Sequence, residues 1–158
     1  MKIFPTKELQ FKLIDSQEIT LDRLKRRTEK SRNLTSDYTN KAFRGIIDGN
    51  SFKIISSSIG KGALCVLNGT INTKSGNLTV TVHKAFKVLF SILMCLPLIA
   101  VLIAFLLAAD KPKLILLFLV IAHVLIVRFV FIAFAFNYLS KESLNRLQDV
   151  LDIEWVKK

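Results

Sequence analysis

Carboxylates are scarce in this chain: 12 Asp/Glu stand against 23 Lys/Arg, a formal net charge of +11 over 158 residues. The few acids that cluster, Glu142, Asp149, Asp152 and Glu154, have a spacing that suits solvated helix faces or pairing with basic residues better than metal binding. Cysteine and histidine are as sparse, two of each. Cys65 falls in a strand-like segment and Cys95 in a long apolar run, so no disulfide between them is expected. Without histidines beside them they make no zinc site. His83 has no serine, cysteine or carboxylate partner in sequence to form a catalytic constellation, and reads as a strand-surface residue. Gly60-Lys61-Gly62 lacks the earlier glycine and following hydroxyl of a phosphate-binding loop and reads as a turn. Met1-Lys2-Ile3-Phe4-Pro5 leads into polar sequence rather than a signal-peptide core, so membrane entry is expected through the chain's own spans.

Charge is also missing from two long stretches. Val88 to Ala109 has none, and Leu114 to Tyr138 has only Arg128 among the always-charged residues. A helix needs about 20 apolar residues to cross a bilayer core, and only Asp110-Lys111-Pro112-Lys113 lies between the runs. The expectation is an antiparallel transmembrane hairpin, 88–138, with spans 88–109 and 114–138. Residues 1–87 hold 16 Lys/Arg against 7 Asp/Glu, and Lys84 and Lys87 before the spans and Lys141 and Arg146 after them outnumber Lys111 and Lys113 in the turn. The positive-inside rule then predicts a multi-pass protein of the cell inner membrane with both termini cytoplasmic. In that topology the sequons at Asn33, Asn68 and Asn77 are ordinary turn residues.

Before the hairpin, Leu9, Phe11 and Leu13 alternate as in a strand. Asp15 or Ser16 can cap a helix running to about Lys30, with Ile19, Leu21 and Leu24 on its apolar stripe. From Phe43 the period becomes two: Phe43, Gly45 and Ile47; a Gly49-Asn50 turn; Phe52 and Ile54; a strand from Leu64 to Asn72; a turn at Thr73 to Gly76; and Leu78, Val80 and Val82. That last strand runs almost directly into the first span. After Tyr138, Ser140 can cap a final amphipathic helix carrying Leu144, Leu147 and Leu151. The expected fold is α+β: an N-terminal helix with a four- to five-stranded antiparallel sheet in residues 1–87, fused to the hairpin and to a C-terminal helix in 139–158.

Phe43-x-Gly45-x-Ile47, Phe52-x-Ile54, Gly69-x-Ile71 and an alternating strand ending at His83 before two spans resemble a group of small bacterial two-span membrane proteins of uncharacterised function. The similarity in layout covers nearly the whole chain. It implies this architecture and no activity. In that group a proline often precedes the third-strand glycine, where this chain has Val66-Leu67-Asn68.

Three features stand as candidate sites. Arg128 is costly within an apolar span, and a hairpin turning at 111–112 would set it level with Cys95, within reach of the Leu93 carbonyl that Pro97 frees. His123, deeper in the span, is expected to be neutral and hydrogen-bonded between helices. Arg23, Lys25, Arg26, Arg27 and Lys30 make a basic helix suited to anionic lipid. No aromatic interleaving or RNA-reading motif points to nucleic acid. The expectation is therefore a non-enzymatic integral membrane protein without cofactor or metal. Its basic domain would bind lipid headgroups, a protein partner or a second copy. The alternative is a ligand-responsive effector whose hairpins assemble into a pore.

Overall fold

The computed structural model describes residues 4–35, 37–58, 62–107 and 114–156. The expected turn at Gly60-Lys61-Gly62 and the linker between the two spans fall outside those residues, apart from Gly62, which opens a short 3-10 turn (Gly62–Leu64).

The domain is α+β, built on one mixed sheet of seven strands: β1 (Thr6–Leu13), β2 (Thr28–Lys30), β3 (Phe43–Asp48), β4 (Ser51–Ser56), β5 (Cys65–Ile71), β6 (Ser75–Val82) and β7 (Ile153–Trp155). The order across the sheet is β2-β3-β4-β5-β6-β1-β7. All neighbours are antiparallel except β2 and β3. The sheet thus has more strands than the four or five expected and is not purely antiparallel. The additional strands are its two edges, each three residues long. β2 lies inside the basic run and lacks alternation. β7 follows directly on a helix, where the expected C-terminal helix should have continued.

α1 (Gln17–Arg27) is the N-terminal helix, shorter than expected because Thr28 turns into β2. Ser16 is its cap, accepting from the Ile19 amide at 3.4 Å. Leu24 and Thr20 face the sheet, whereas Ile19, expected on the apolar stripe, is exposed. The buried hydroxyl of Thr20 is satisfied by the Ser16 carbonyl at 3.0 Å.

α2 (Lys84–Leu107) leaves β6 at once and contains Pro97. α3 (Leu114–Leu125), a π-helical segment (Ile126–Ile132) and α4 (Ala133–Leu151) then follow without a break. Among the described residues two helices are long and apolar enough to cross a membrane, Lys84–Leu106 and Ile115–Leu151. Both expose large apolar side chains, among them Leu102, Phe105, Phe118 and Phe131. Ser140 does not open a new helix. It is fully buried inside the continuous one, and its hydroxyl donates to the Asn137 carbonyl at 3.2 Å. No glycine or proline interrupts residues 114–151, so nothing in the backbone stops the helix until Asp152, whose φ of 54° ends it.

The core lies between one sheet face and the two helices laid on it. Phe11, Phe43, Phe52, Ile54, Leu67, Leu78 and Val80 from the strands meet Leu24 of α1 and Phe136, Leu144, Leu147 and Leu151 of α4. The second apolar helix therefore completes the domain with its C-terminal half, and β7 returns along β1 to seal it. On the opposite face, Arg44 pins the 31–42 loop by pairing with Asp37 at 3.0 Å and donating to the Thr35 carbonyl at 3.4 Å. The Arg44 hydrogen bond holds the Asp37 carboxyl below its usual range, helped by the Tyr38 amide.

Candidate anion-binding groove

Strand register gives the sheet a defined span-bearing end. Val82 pairs with Cys65, Phe43 with both Ser56 and Thr28, and Ser56 lies one step beyond the Ile55–Val66 pair. Thr28, Phe43, Ser56, Cys65 and Val82 thus form one row across the sheet, and α2 starts two residues past it, at Lys84. At about 4.8 Å per strand, Ser56 is roughly 10 Å from Val82.

α1 approaches this row from the other end. Its Gln17 amide donates to the carbonyl of Ile71, at the far end of β5, at 2.8 Å. Its last turn, with Lys25, Arg26 and Arg27, therefore arrives beside the span-bearing end. Cations there also offset the negative end of the helix dipole. α4 runs the opposite way over the same sheet face. Between them lies a groove of about 930 Å³ lined by Arg23, Arg26, Arg27, Ala42, Arg146, Asp149, Val150 and Asp152. Its size falls in the range of small-molecule sites.

The four arginines of this groove differ in what they are free to do. Arg23 is held by Asp15 at 2.7 Å and Asp152 at 3.7 Å, and Arg26 by Asp22 at 3.0 Å. Arg27 has no ion pair among the described residues. Arg146 Nη1 donates to the Ser56 hydroxyl at 3.1 Å and to the Ser58 hydroxyl at 2.6 Å. Neutral hydroxyls orient that guanidinium without cancelling its charge. It retains donors in a fork that matches phosphate or carboxylate oxygens.

The structure thus divides the expected basic set. Arg23, Arg26 and Arg27 line the groove, while Lys25 and Lys30 line a separate pocket at the β2 edge. In sequence Arg146 is only a charge flanking a span, and Ser56 to Ser58 only the fading end of a strand. Nothing local in either segment signals that they meet. The expected pairing of tail acids with the basic helix is realised at Asp152 and Arg23.

Arg128 sits in the π-helical segment, half-buried, with its guanidinium carbon 5.5 Å from the centre of the Phe129 ring. The Nε2 of His123 is buried and makes no hydrogen bond among the described residues. His83 is more than a strand-surface residue. Its carbonyl accepts from Lys87 N at 3.0 Å and its Nδ1 from Ala85 N at 3.2 Å, so it caps α2. Burial, then the charge of Lys53, lowers its pKa. Cys65 is buried in β5, which pushes its thiol up to about 12, and the exposed Cys95 is likewise unbridged. Among the described residues no group of three or more His, Cys, Asp or Glu could hold a metal ion.

No family model matches the chain, and neither a curated protein nor a solved structure matches it.

Proposed function

We propose that this chain is a non-enzymatic integral membrane protein whose α+β domain binds anionic, phosphate-bearing lipid headgroups in the α1–α4 groove. The observation that carries the reading is Arg146, oriented by Ser56 and Ser58 and lining one groove with Arg27, at the end of the sheet from which the two apolar helices depart. Lysine and arginine near an anionic leaflet each contribute about 1 kcal/mol, and a guanidinium in a formed groove adds directional hydrogen bonds.

The charge balance around the spans supports an orientation with the domain and both termini on the cytoplasmic side of the inner membrane. The groove would then lie on the side whose leaflet attracts basic segments through its negative surface potential.

The reading calls for the full chain, because α4 and β7 supply part of the core and residues 1–87 alone lack them. Native mass spectrometry of the protein in neutral detergent, titrated with phosphatidylglycerol or phosphatidylcholine, provides the measurement. Phosphatidylglycerol adducts should dominate, weaken as salt rises, and fall in Arg27→Gln and Arg146→Gln. Equal adducts of both lipids, unchanged in the two variants, would refute the headgroup reading.

A further inference from the structure

On the far side of α1 from the groove, a second cavity of about 340 Å³ is lined by Lys25, Thr28, Lys30, Lys41, Gly45 and Ile47. At about 100° per residue, Lys25 projects some 200° around the helix from Arg23 and Arg27, toward the edge pair β2–β3. None of the three lysines is ion-paired among the described residues.

Thr28 supplies a second and independent observation. It is 5% exposed, yet its Oγ1 makes no hydrogen bond among the described residues. Three other buried hydroxyls are satisfied: Thr20 donates to the Ser16 carbonyl, Ser140 to that of Asn137, and Ser57 to those of Lys41 and Ala42. The Thr28 carbonyl is itself satisfied, accepting from Lys41 Nζ at 3.3 Å. A desolvated hydroxyl without a partner is a cost the fold has no structural reason to keep. Three lysines line the same cavity and would favour an anionic occupant.

We propose that this pocket binds a phosphomonoester group, separately from the arginine groove. Lys25, Lys30 and Lys41 balance its charge, and Thr28 Oγ1 donates to one of its oxygens. Three compact ammonium groups suit a group of nearly two negative charges better than a singly charged diester. Thr28 lies in the row level with Val82, so the group can come from a monoester lipid headgroup or from a soluble phosphate.

The test uses the full chain in two settings. In neutral detergent it is titrated calorimetrically with inorganic phosphate, and in phosphatidylcholine nanodiscs it is compared with and without phosphatidic acid. Saturable binding is expected in at least one setting. Lys25→Gln/Lys41→Gln should weaken it about tenfold and Thr28→Val several-fold, with Lys12→Gln, an exposed β1 lysine that lines neither cavity, within about twofold of the parent. Response to phosphatidic acid alone assigns the group to lipid, and response to inorganic phosphate assigns it to a soluble ligand. Binding lost in Arg146→Gln but kept in the lysine and Thr28 variants would move the phosphate to the groove and overturn this site, leaving the headgroup reading intact. Saturation by neither ligand would also overturn it. The Lys25 and Lys41 side chains lie toward solvent, so the lysine variant remains decisive if Thr28→Val folds poorly.

Discussion

Arg146 on α4 donates to the hydroxyl of Ser58 at 2.6 Å, across 88 residues of sequence. This contact links the helix that continues from the second span to the end of β4, and it aims the guanidinium into the groove. Ser58→Ala should leave the fold intact and weaken anionic-lipid adducts about threefold, because it removes an orienting hydrogen bond and not a charge. Arg146→Gln should weaken them about tenfold or more. Titrated adduct distributions would show the order, and a Ser58→Ala loss equal to that of Arg146→Gln would contradict an orienting role.

Two aromatic rings lie over glycines on neighbouring strands. Phe11 pairs with Gly76 and Phe52 with Gly69, and a Cβ added to either glycine would strike the ring. Gly76→Ala should destabilise the protein by about 1–3 kcal/mol through overpacking. Phe11→Leu should recover part of that loss, because a smaller side chain makes room for the new methyl. Thermal unfolding of the two single variants and the double variant in detergent gives the coupling, and strict additivity would show that the ring is not the obstacle.

His83 gives the junction between β6 and α2 a pH dependence. Its Nδ1 can accept from Ala85 N only while that nitrogen carries no proton, and burial, then Lys53, lowers its pKa. A histidine with a lowered folded-state pKa binds fewer protons folded than unfolded, so stability rises with pH across that interval. The contribution is complete above the unfolded value of about 6.5 and is lost as pH falls through the lowered folded value. Thermal unfolding of the wild type should show this loss on acidification, and His83→Asn, which keeps an acceptor that does not titrate there, should flatten it. An unchanged profile in His83→Asn would place the dependence elsewhere.

Arg128 is the always-charged residue of the second span, and it coincides with the π-helical segment. If it serves structure alone, Arg128→Leu should insert well and reach normal abundance, because it removes a charge costing about 2.5–3.5 kcal/mol at a span centre. Neither wild type nor variant should leak dye from proteoliposomes. Leakage by the wild type that disappears in Arg128→Leu would support the pore alternative instead.

Topology can be read by cysteine labelling. Tyr38 is 90% exposed on the 31–42 loop, whereas Cys65 is buried. In intact cells Lys111→Cys should react with a membrane-impermeant maleimide and Tyr38→Cys should not. The reverse pattern would place the domain on the outer side.

Features carried by neighbouring residues are legible in the amino-acid order itself. The apolar runs, the Ser16 cap, the Gly49 turn and the alternation of Leu78, Val80 and Val82 each depend on contacts within a few positions, so local spacing encodes them. Helix continuity at Ser140 is not legible, because a serine that can cap can equally be buried in a helix with its hydroxyl on a carbonyl one turn back. The edge strands are invisible for a different reason. Thr28–Lys30 and Ile153–Trp155 are too short to show a period, and they become strands only because β3 and β1 offer unpaired backbone groups beside them.

Sequence alone determined that this chain has two runs long and apolar enough to span a membrane, an α+β domain and a surplus of cations, since hydropathy, periodicity and charge are properties of residues and their near neighbours. Tertiary structure decided which cations face which acceptors. Arg146 meets Ser56 and Ser58, Arg23 meets Asp15 and Asp152, and Lys25, Lys30 and Lys41 line one cavity with Thr28 only once the helices have packed on the sheet. Such pairings depend on distances of a few ångströms between segments distant in sequence. No local pattern constrains those distances until the apolar faces have packed.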